Sequence, residues 1–317
     1  FPATEKTMDA QADNRRTNLP NLDPRLAEEE SRPAAVRHLL ERLLADAWAC
    51  EPGILAGTDD EFLHRYRVNL RRARVLVVQA RDLLGLRAAR SLNCHLRALV
   101  KHTGPLRDLD VQLADRVGMN ALPPAERAIL EGGFLAHLDQ RRAREQRAFR
   151  RYLRSLEHQH RRQRLREILA EPPVVGSFPA LREFLAERIR QRFRKLAKRT
   201  DGTDLPDDGE LHRCRIEAKK LRYLLEFGQG LLPVRRTARC IRDLKRVQDA
   251  LGQAHDLLVR LGWVRGYAAP LRDPAERTAL AHLEHLVAEE LDTARDSAAA
   301  RLREFRETCE ETNPANL

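Results

Sequence analysis

The stretch His64-Arg-Tyr-Arg-Val-Asn-Leu-Arg-Arg-Ala-Arg74 returns later in the chain as His212-Arg-Cys-Arg-Ile-Glu-Ala-Lys-Lys-Leu-Arg222, with the histidine and every basic position kept at a constant offset of 148 residues. Read as a helix turning by about 100° per residue, each copy gathers the bases at +3, +7 and +10 within roughly an 80° arc beside the histidine. Those at +1 and +8 fall on its other flank. The far side carries Phe62, Leu63, Tyr66, Leu70, Ala73 and Val77 in the first copy, and Leu211, Cys214, Ala218, Leu221 and Leu225 in the second. One face is built to pack; the other is a cationic rail.

The correspondence extends well beyond these helices. Ser31-x-Pro33-Ala34 is answered by Ser177-x-Pro179-Ala180 at an offset of 146, and Gly104-x-x-Arg107-Asp108 by Gly252-x-x-His255-Asp256 at 148. Pro124-Ala-Glu-Arg127 returns as Pro274-Ala-Glu-Arg277 at 150. Offsets that drift this little place the insertions in loops and point to an internal duplication. Ser31 reads as an N-cap, while Thr58-Asp-Asp-Glu61 and Asp207-x-x-Glu210 read as capping boxes that launch the two rails.

Between these marks the pattern is helical throughout. Val36, Leu39, Leu40, Leu43, Leu44, Ala47 and Trp48 form an amphipathic stripe that Pro52-Gly53 is expected to end. Gly85 is expected to stop the first rail helix, and Gly104-Pro105 to break the next helix, which begins near Leu86. From Pro124 a long tract runs to Pro172-Pro173, weakened at Gly132-Gly133 and interrupted at Ser155; its Arg-dense middle reads as a solvated face. The fold class is therefore all-α: internally duplicated antiparallel helical bundles, related by a pseudo-twofold axis that would set the rails together as a basic central surface. Residues 1–30 are expected to be a disordered arm, 31–310 the folded domain, with repeats over about 31–175 and 177–310, and 311–317 a tail.

Composition agrees with this class and narrows the partner. Charged residues make up 33% and aromatics only 5%, a balance rich in helix formers. The formal charge is +11 despite 47 carboxylates, so the excess must be concentrated, and a polyanion is the natural partner. The five cysteines, Cys50, Cys94, Cys214, Cys240 and Cys309, are odd in number and widely spaced, as free thiols in a reducing compartment would be. No apolar run reaches the length of a membrane span, and a cytoplasmic chain is expected.

At this point the twin histidine-led motifs, HRYRVNLRRAR and HRCRIEAKKLRYLLE, followed by L-R-D-L-D-V and L-G-x-x-H-D-L, resemble the CHAD family, the conserved histidine α-helical domain. The resemblance spans about residues 31–310. It implies two helical bundles with internal twofold symmetry, a basic central surface and binding of inorganic polyphosphate, in proteins associated with polyphosphate granules or joined to triphosphate-tunnel domains. The E-x-E-x-K signature of such a tunnel domain does not occur, so a stand-alone member is implied.

The candidate phosphate-binding residues are His64, Arg65, Arg67, Arg71, Arg72 and Arg74 in the first rail, and His212, Arg213, Arg215, Lys219, Lys220 and Arg222 in the second. The adjoining bases Arg90, Arg97, Lys101, Arg107, Arg242, Lys245 and Arg246 would extend the track. Glu217 and Glu226 are the acids of the second rail, and none lies between His64 and Arg81. Each histidine either donates to phosphate or sets the first turn of its helix, and Asp108 and Asp256 read as helix-start carboxylates or as orienters of a neighbouring arginine.

Two other classes compete. A non-specific nucleic-acid binder would use the same phosphate contacts. Single-strand binders, however, interleave aromatic platforms, and here Tyr66 lies on the apolar arc, leaving only Tyr223 near the rail. A metal-dependent phosphohydrolase is suggested by His255-Asp256 with a distant His212, but the matching position of the first half is Arg107, which cannot ligate a metal. His158, His160, His282 and His285 read as ordinary surface histidines. The sequence thus calls for no catalytic residue, metal or cofactor, and for polyphosphate as the partner.

Overall fold

Hydrophobic periodicity and local capping place the helices almost where the sequence predicts them. The computed structural model describes residues 21–22, 31–114, 118–199 and 207–312, the backbone alone over 309–312, and no strand occurs among them. The rest of the expected arm and the tail from 313 lie outside the described residues. Helix α1 (Arg32–Trp48) starts on Ser31, whose hydroxyl accepts from the Ala34 N–H, with Pro33 in its first turn. Pro52-Gly53 does not end α1 but opens a short helix, α2 (Glu51–Ala56), because proline fits a first turn as well as it breaks an interior one.

The first rail is α3 (Asp60–Gln79). Its N-cap is Asp59 rather than Thr58, the carboxylate accepting from the Glu61 N–H at 2.8 Å. A single turn, α4 (Arg81–Leu84), follows, and Gly85 with φ of +82° makes the corner into α5 (Leu86–His102). Helix α6 (Gly104–Ala114) continues after the Gly104-Pro105 break. Next come α7 (Pro124–Leu130), a π-turn over Glu131–Leu135 at the paired glycines, α8 (Ala136–Leu153), and α9 (Leu156–Ala170) capped by Ser155.

The second half begins with α10 (Leu181–Arg199), four residues after Ser177, the counterpart of Ser31. The second rail is α11 (Asp208–Phe227), whose 20 residues match those of α3 at the same offset of 148 at both ends, and whose Asp207 cap accepts from the Glu210 N–H at 2.6 Å. Helices α12 (Val234–Ala268) and α13 (Pro274–Thr312) are long and unbroken. Here Gln253 stands where the first half has Pro105, so the backbone N–H is kept and one helix replaces two.

Two apolar cores form, and both draw on both halves. The first joins α1, α3, α5 and α9 to α10, α11 and the start of α12, with Tyr66, Leu70 and Phe227 fully buried. The second joins α6 and α8 to the later part of α12 and to α13. Helix α12 threads the two, giving Leu244, Val247 and Leu251 to one and Leu257, Leu261 and Val264 to the other. The expectation of one bundle per half is thus modified: each half completes its core with the other. Leu22 also belongs to the first core, and its N–H donates to the Phe227 carbonyl at 2.8 Å, so this part of the expected arm is anchored on an otherwise orphaned helix end.

Arg72 is a correction to the expected basic surface. It is fully buried between the halves, paired with the buried Glu226, and its guanidinium lies 5.1 Å and 5.6 Å from the ring centres of Phe227 and Tyr223. A buried pair contributes little net stability, but breaking it strands a charge in the core. Arg72→Ala is therefore expected to lower the unfolding free energy by about 3 kcal/mol, and the paired change Arg72→Met with Glu226→Leu to recover most of that loss. Urea denaturation of the variants measures both, and a near-neutral Arg72→Ala would remove the pair from its structural role.

Candidate functional site

The helical phase of α3 and α11 separates their bases into two groups. Those at +3 and +7 turn inward to the junction of α3, α6, α11 and α12. Those at +1 and +8 turn away. Arg213 pairs with Glu210 at 2.6 Å, and Lys220 with Glu217 at 2.7 Å, while Glu217 also accepts from Arg192 of α10 at 3.1 Å. Arg65 is exposed and acts on Cys50, behind α3, rather than on the inward group. Arg72 is consumed by Glu226. The four rail bases at +1 and +8 therefore lie off the centre, and Arg72, Arg213 and Lys220 each have an acid beside them.

At the centre the balance is reversed. Arg67 is crowded by burial and then by Arg71, Arg107 and Arg215, with Asp108 opposing, and its guanidinium is pulled down to about 10. It donates to the Thr103 hydroxyl at 2.7 Å, bracing the end of α5. Arg215 is lowered by burial and by Arg71, against Asp256 and Asp108. Lys219 falls furthest, from 10.5 to about 7, through burial first and then Arg215, Arg71 and Arg222, with Asp256 opposing. Arg67 and Arg215 stand at corresponding positions of the two rails, offset by 148, and act on each other. The Arg260 guanidinium donating to the Gln112 carbonyl at 2.6 Å joins a second such pair.

The histidines divide. His212 is exposed at the head of α11, and its ring centre is 5.3 Å from that of His255 on α12. Burial and the charges of Arg215 and Lys219 depress both, and His255 reaches about 4. His64 is half-buried at the start of α3. His255 was absent from the expected binding set, although its place opposite Arg107 in the repeat was a usable signal. His158 is no surface residue: it is buried, with Nε2 2.8 Å from Glu51.

The outer bases continue the surface. Arg74 donates to Asn93 at 3.2 Å and feels Arg97 of α5. Arg90, Arg97 and Lys101 are exposed on α5, as are Arg242, Lys245 and Arg246 on α12, where Arg246 lies 3.5 Å from Asp243. Arg222 leans towards Glu226 at 3.6 Å. No group of three or more His, Cys, Asp or Glu that could hold a metal ion occurs among the described residues, and no helix among them is long and apolar enough to cross a membrane.

Comparison with known proteins agrees with the fold. The family model of the CHAD domain matches residues 38–265. The crystal structure of the CHAD domain from the plant Ricinus communis superposes with a TM-score of 0.69 at 22% identity, over 90% of this chain and 94% of that one. PptA from Streptomyces chartreusis gives a TM-score of 0.68 at 16% identity, over 84% of this chain and 98% of that one. At these identities the two structures establish likeness of fold alone. No curated protein sequence matches the chain.

A crowd of like charges costs stability when nothing is bound to it. Lys219→Met keeps the apolar stem and removes the charge, and is expected to stabilise the ligand-free protein by about 0.5–2 kcal/mol. The sign follows from the depressed lysine: the penalty is full below about pH 7, where Lys219 is charged in both folded and unfolded chains, and shrinks as pH rises towards 10.5. Thermal unfolding at pH 6 and pH 9 should show the larger gain at pH 6. A loss at pH 6 would mean that Lys219 is held by a favourable partner.

Proposed function

Because this chain belongs to the CHAD domain family, we propose that it binds inorganic polyphosphate, without chemical turnover, where α3, α6, α11 and α12 meet. The observation that carries the reading is the crowding of Arg67, Arg71, Arg107, Arg215 and Lys219, contributed by both halves and opposed by Asp108 and Asp256. Elsewhere acids are folded against Arg72, Arg213 and Lys220. The charge left unbalanced at the centre is the part that a polyanion can neutralise.

Polyphosphate presents closely spaced phosphates and no bases. Guanidinium groups grip such oxygens bidentately, while ammonium supplies a compact point charge. Each exposed contact is worth only about 0.2–1 kcal/mol, so affinity rests on many contacts and on released counterions. Arg90, Arg97 and Lys101 along α5, and Arg242, Lys245 and Arg246 along α12, would prolong the contact beyond the centre. Binding of this kind would direct the protein to polyphosphate granules.

Two observations weigh against the competing classes. Tyr223, the aromatic that the sequence places near the rail, is buried with the Arg72 and Arg222 guanidiniums against its ring, so it offers no platform for a nucleic-acid base. The His212 and His255 rings sit in the field of Arg71, Arg215 and Lys219, which repels a metal cation from the place where a phosphohydrolase would need one.

The test compares two triple variants that lose the same charge. Arg67→Gln, Arg71→Gln and Lys219→Gln remove central bases; Arg65→Gln, Arg213→Gln and Lys220→Gln remove outward ones. The central triple is expected to weaken long-chain polyphosphate binding by at least about tenfold and to flatten the slope of log affinity against log salt by about 2. The outward triple is expected to do much less. Equal weakening by both would replace a located site with a generally basic surface. Tighter binding of single- or double-stranded DNA in the same titration would reverse the choice of ligand, and shortening of the polyphosphate during incubation would reverse the non-catalytic reading.

A further inference from the structure

Three bases able to change charge stand where the two halves meet: Lys219 and His212 on α11, and His255 on α12. The imidazole centres are 5.3 Å apart, with their planes inclined by 40°. Around them α11 supplies Arg213 beside His212 and Arg222 beside Lys219, with Arg215 next to all three. Helix α3 supplies Arg71, which acts on the same three. The carboxylates here are Asp256 of α12, facing Arg215 and Lys219, and Asp108 of α6, facing Arg215. On the outer sides of α11, Arg192 of α10 pairs with Glu217, and Arg295 of α13 with Asp208, so those helices send paired charges rather than free acids.

Arginine keeps its charge near neutrality, whereas lysine and imidazole can give theirs up. Among its own side chains, a free centre can therefore lower its repulsion by releasing protons from Lys219, His212 and His255. A bound chain of phosphates reverses the local field and favours the protonated forms. We propose that anion binding at this centre is coupled to proton uptake by Lys219, His212 and His255, so that affinity for polyphosphate rises as pH falls. This rests on the polyphosphate reading above and adds to it a dependence on acidity.

The direction of the shifts agrees. Lys219 is held at about 7 and His255 at about 4, in each case by burial first and neighbouring arginine next, and His212 is also lowered. A polyanion moves each group back towards or above its ordinary value. Between the two values the complex holds more protons than the free protein, and affinity falls with rising pH across that window. For Lys219 the window opens near pH 7 and for His255 near pH 4; below both, Lys219 and His255 are charged in either state and contribute no dependence.

Isothermal titration with long-chain polyphosphate, in buffers of different ionisation enthalpy, reads this directly. Long chains at pH 8 keep the terminal phosphates, already ionised, from contributing. At pH 8 the wild-type protein is expected to take up about one proton per site, and affinity to fall by up to about tenfold per pH unit between pH 7.5 and 9. Lys219→Arg fixes the charge, and is expected to bind at least as tightly at pH 9 while losing the uptake at pH 8. At pH 6 the wild-type uptake is expected to persist through the imidazoles and to fall in the double variant His212→Gln with His255→Gln. Binding by the wild-type protein without buffer-dependent heat at pH 8 and pH 6 would overturn the coupling and leave the polyphosphate reading standing. Uptake that survives in Lys219→Arg at pH 8 would overturn the assignment to Lys219. Failure of the wild-type protein to bind polyphosphate at any pH would overturn both readings.

Discussion

Arg72 and Glu226 lie far apart in sequence and together in the core, and their pairing fixes how the two histidine-led helices face each other. A buried guanidinium tolerates only a neighbourhood that neutralises it. Glu226 supplies the charge, and Tyr223 and Phe227 supply ring faces. With that contact set, the remaining phase of α3 and α11 follows from the 100° step of a helix. Arg71, one residue before Arg72, is turned to the junction and acts on Arg215 and Lys219. The structural arginine and the half-buried charge cluster are thus consequences of the same helical geometry.

The chain spends its acids unevenly. Glu210 and Glu217 stand against the outward bases, Glu226 against Arg72, and Glu51 beside His158 and Arg162. The junction keeps Asp108 and Asp256 opposite a larger set of cations. Such an arrangement disfavours the empty folded state, and it is the kind of local cost found where a protein holds a site ready for a ligand. The two cores explain how it is tolerated: α12 threads both, and each half closes its core with helices of the other, so repulsion at the junction works against packing on every side.

Much of the fold is legible locally. The Ser31 and Asp207 caps, the π-turn at Gly132-Gly133 and the restart at Ser155 are short-range matters of hydrogen bonding and backbone freedom. The misread marks are informative for the same reason. Pro52 begins a helix rather than ending one, and Thr58 yields the cap to Asp59, because proline suits a first turn as well as a stop and a carboxylate caps as a hydroxyl does. Leu22 could not be found from its polar surroundings, since its N–H donates to the carbonyl of Phe227, far along the chain.

By itself the sequence determined the helical class, the offset of 148 between the rails, the phase of their bases and the excess of positive charge, all of which follow from residue type and periodicity. It set Arg71 and Arg72, and Lys219 and Lys220, on different flanks of their helices, but could not say which flank faces acids and which faces other bases. Only the tertiary structure decided which of them meets an acid and which meets another cation, and it brought His255 beside His212 from a different helix. The physical reason is that neutralisation depends on distance in space. The partner that settles the fate of Arg72 lies 154 residues away along the chain.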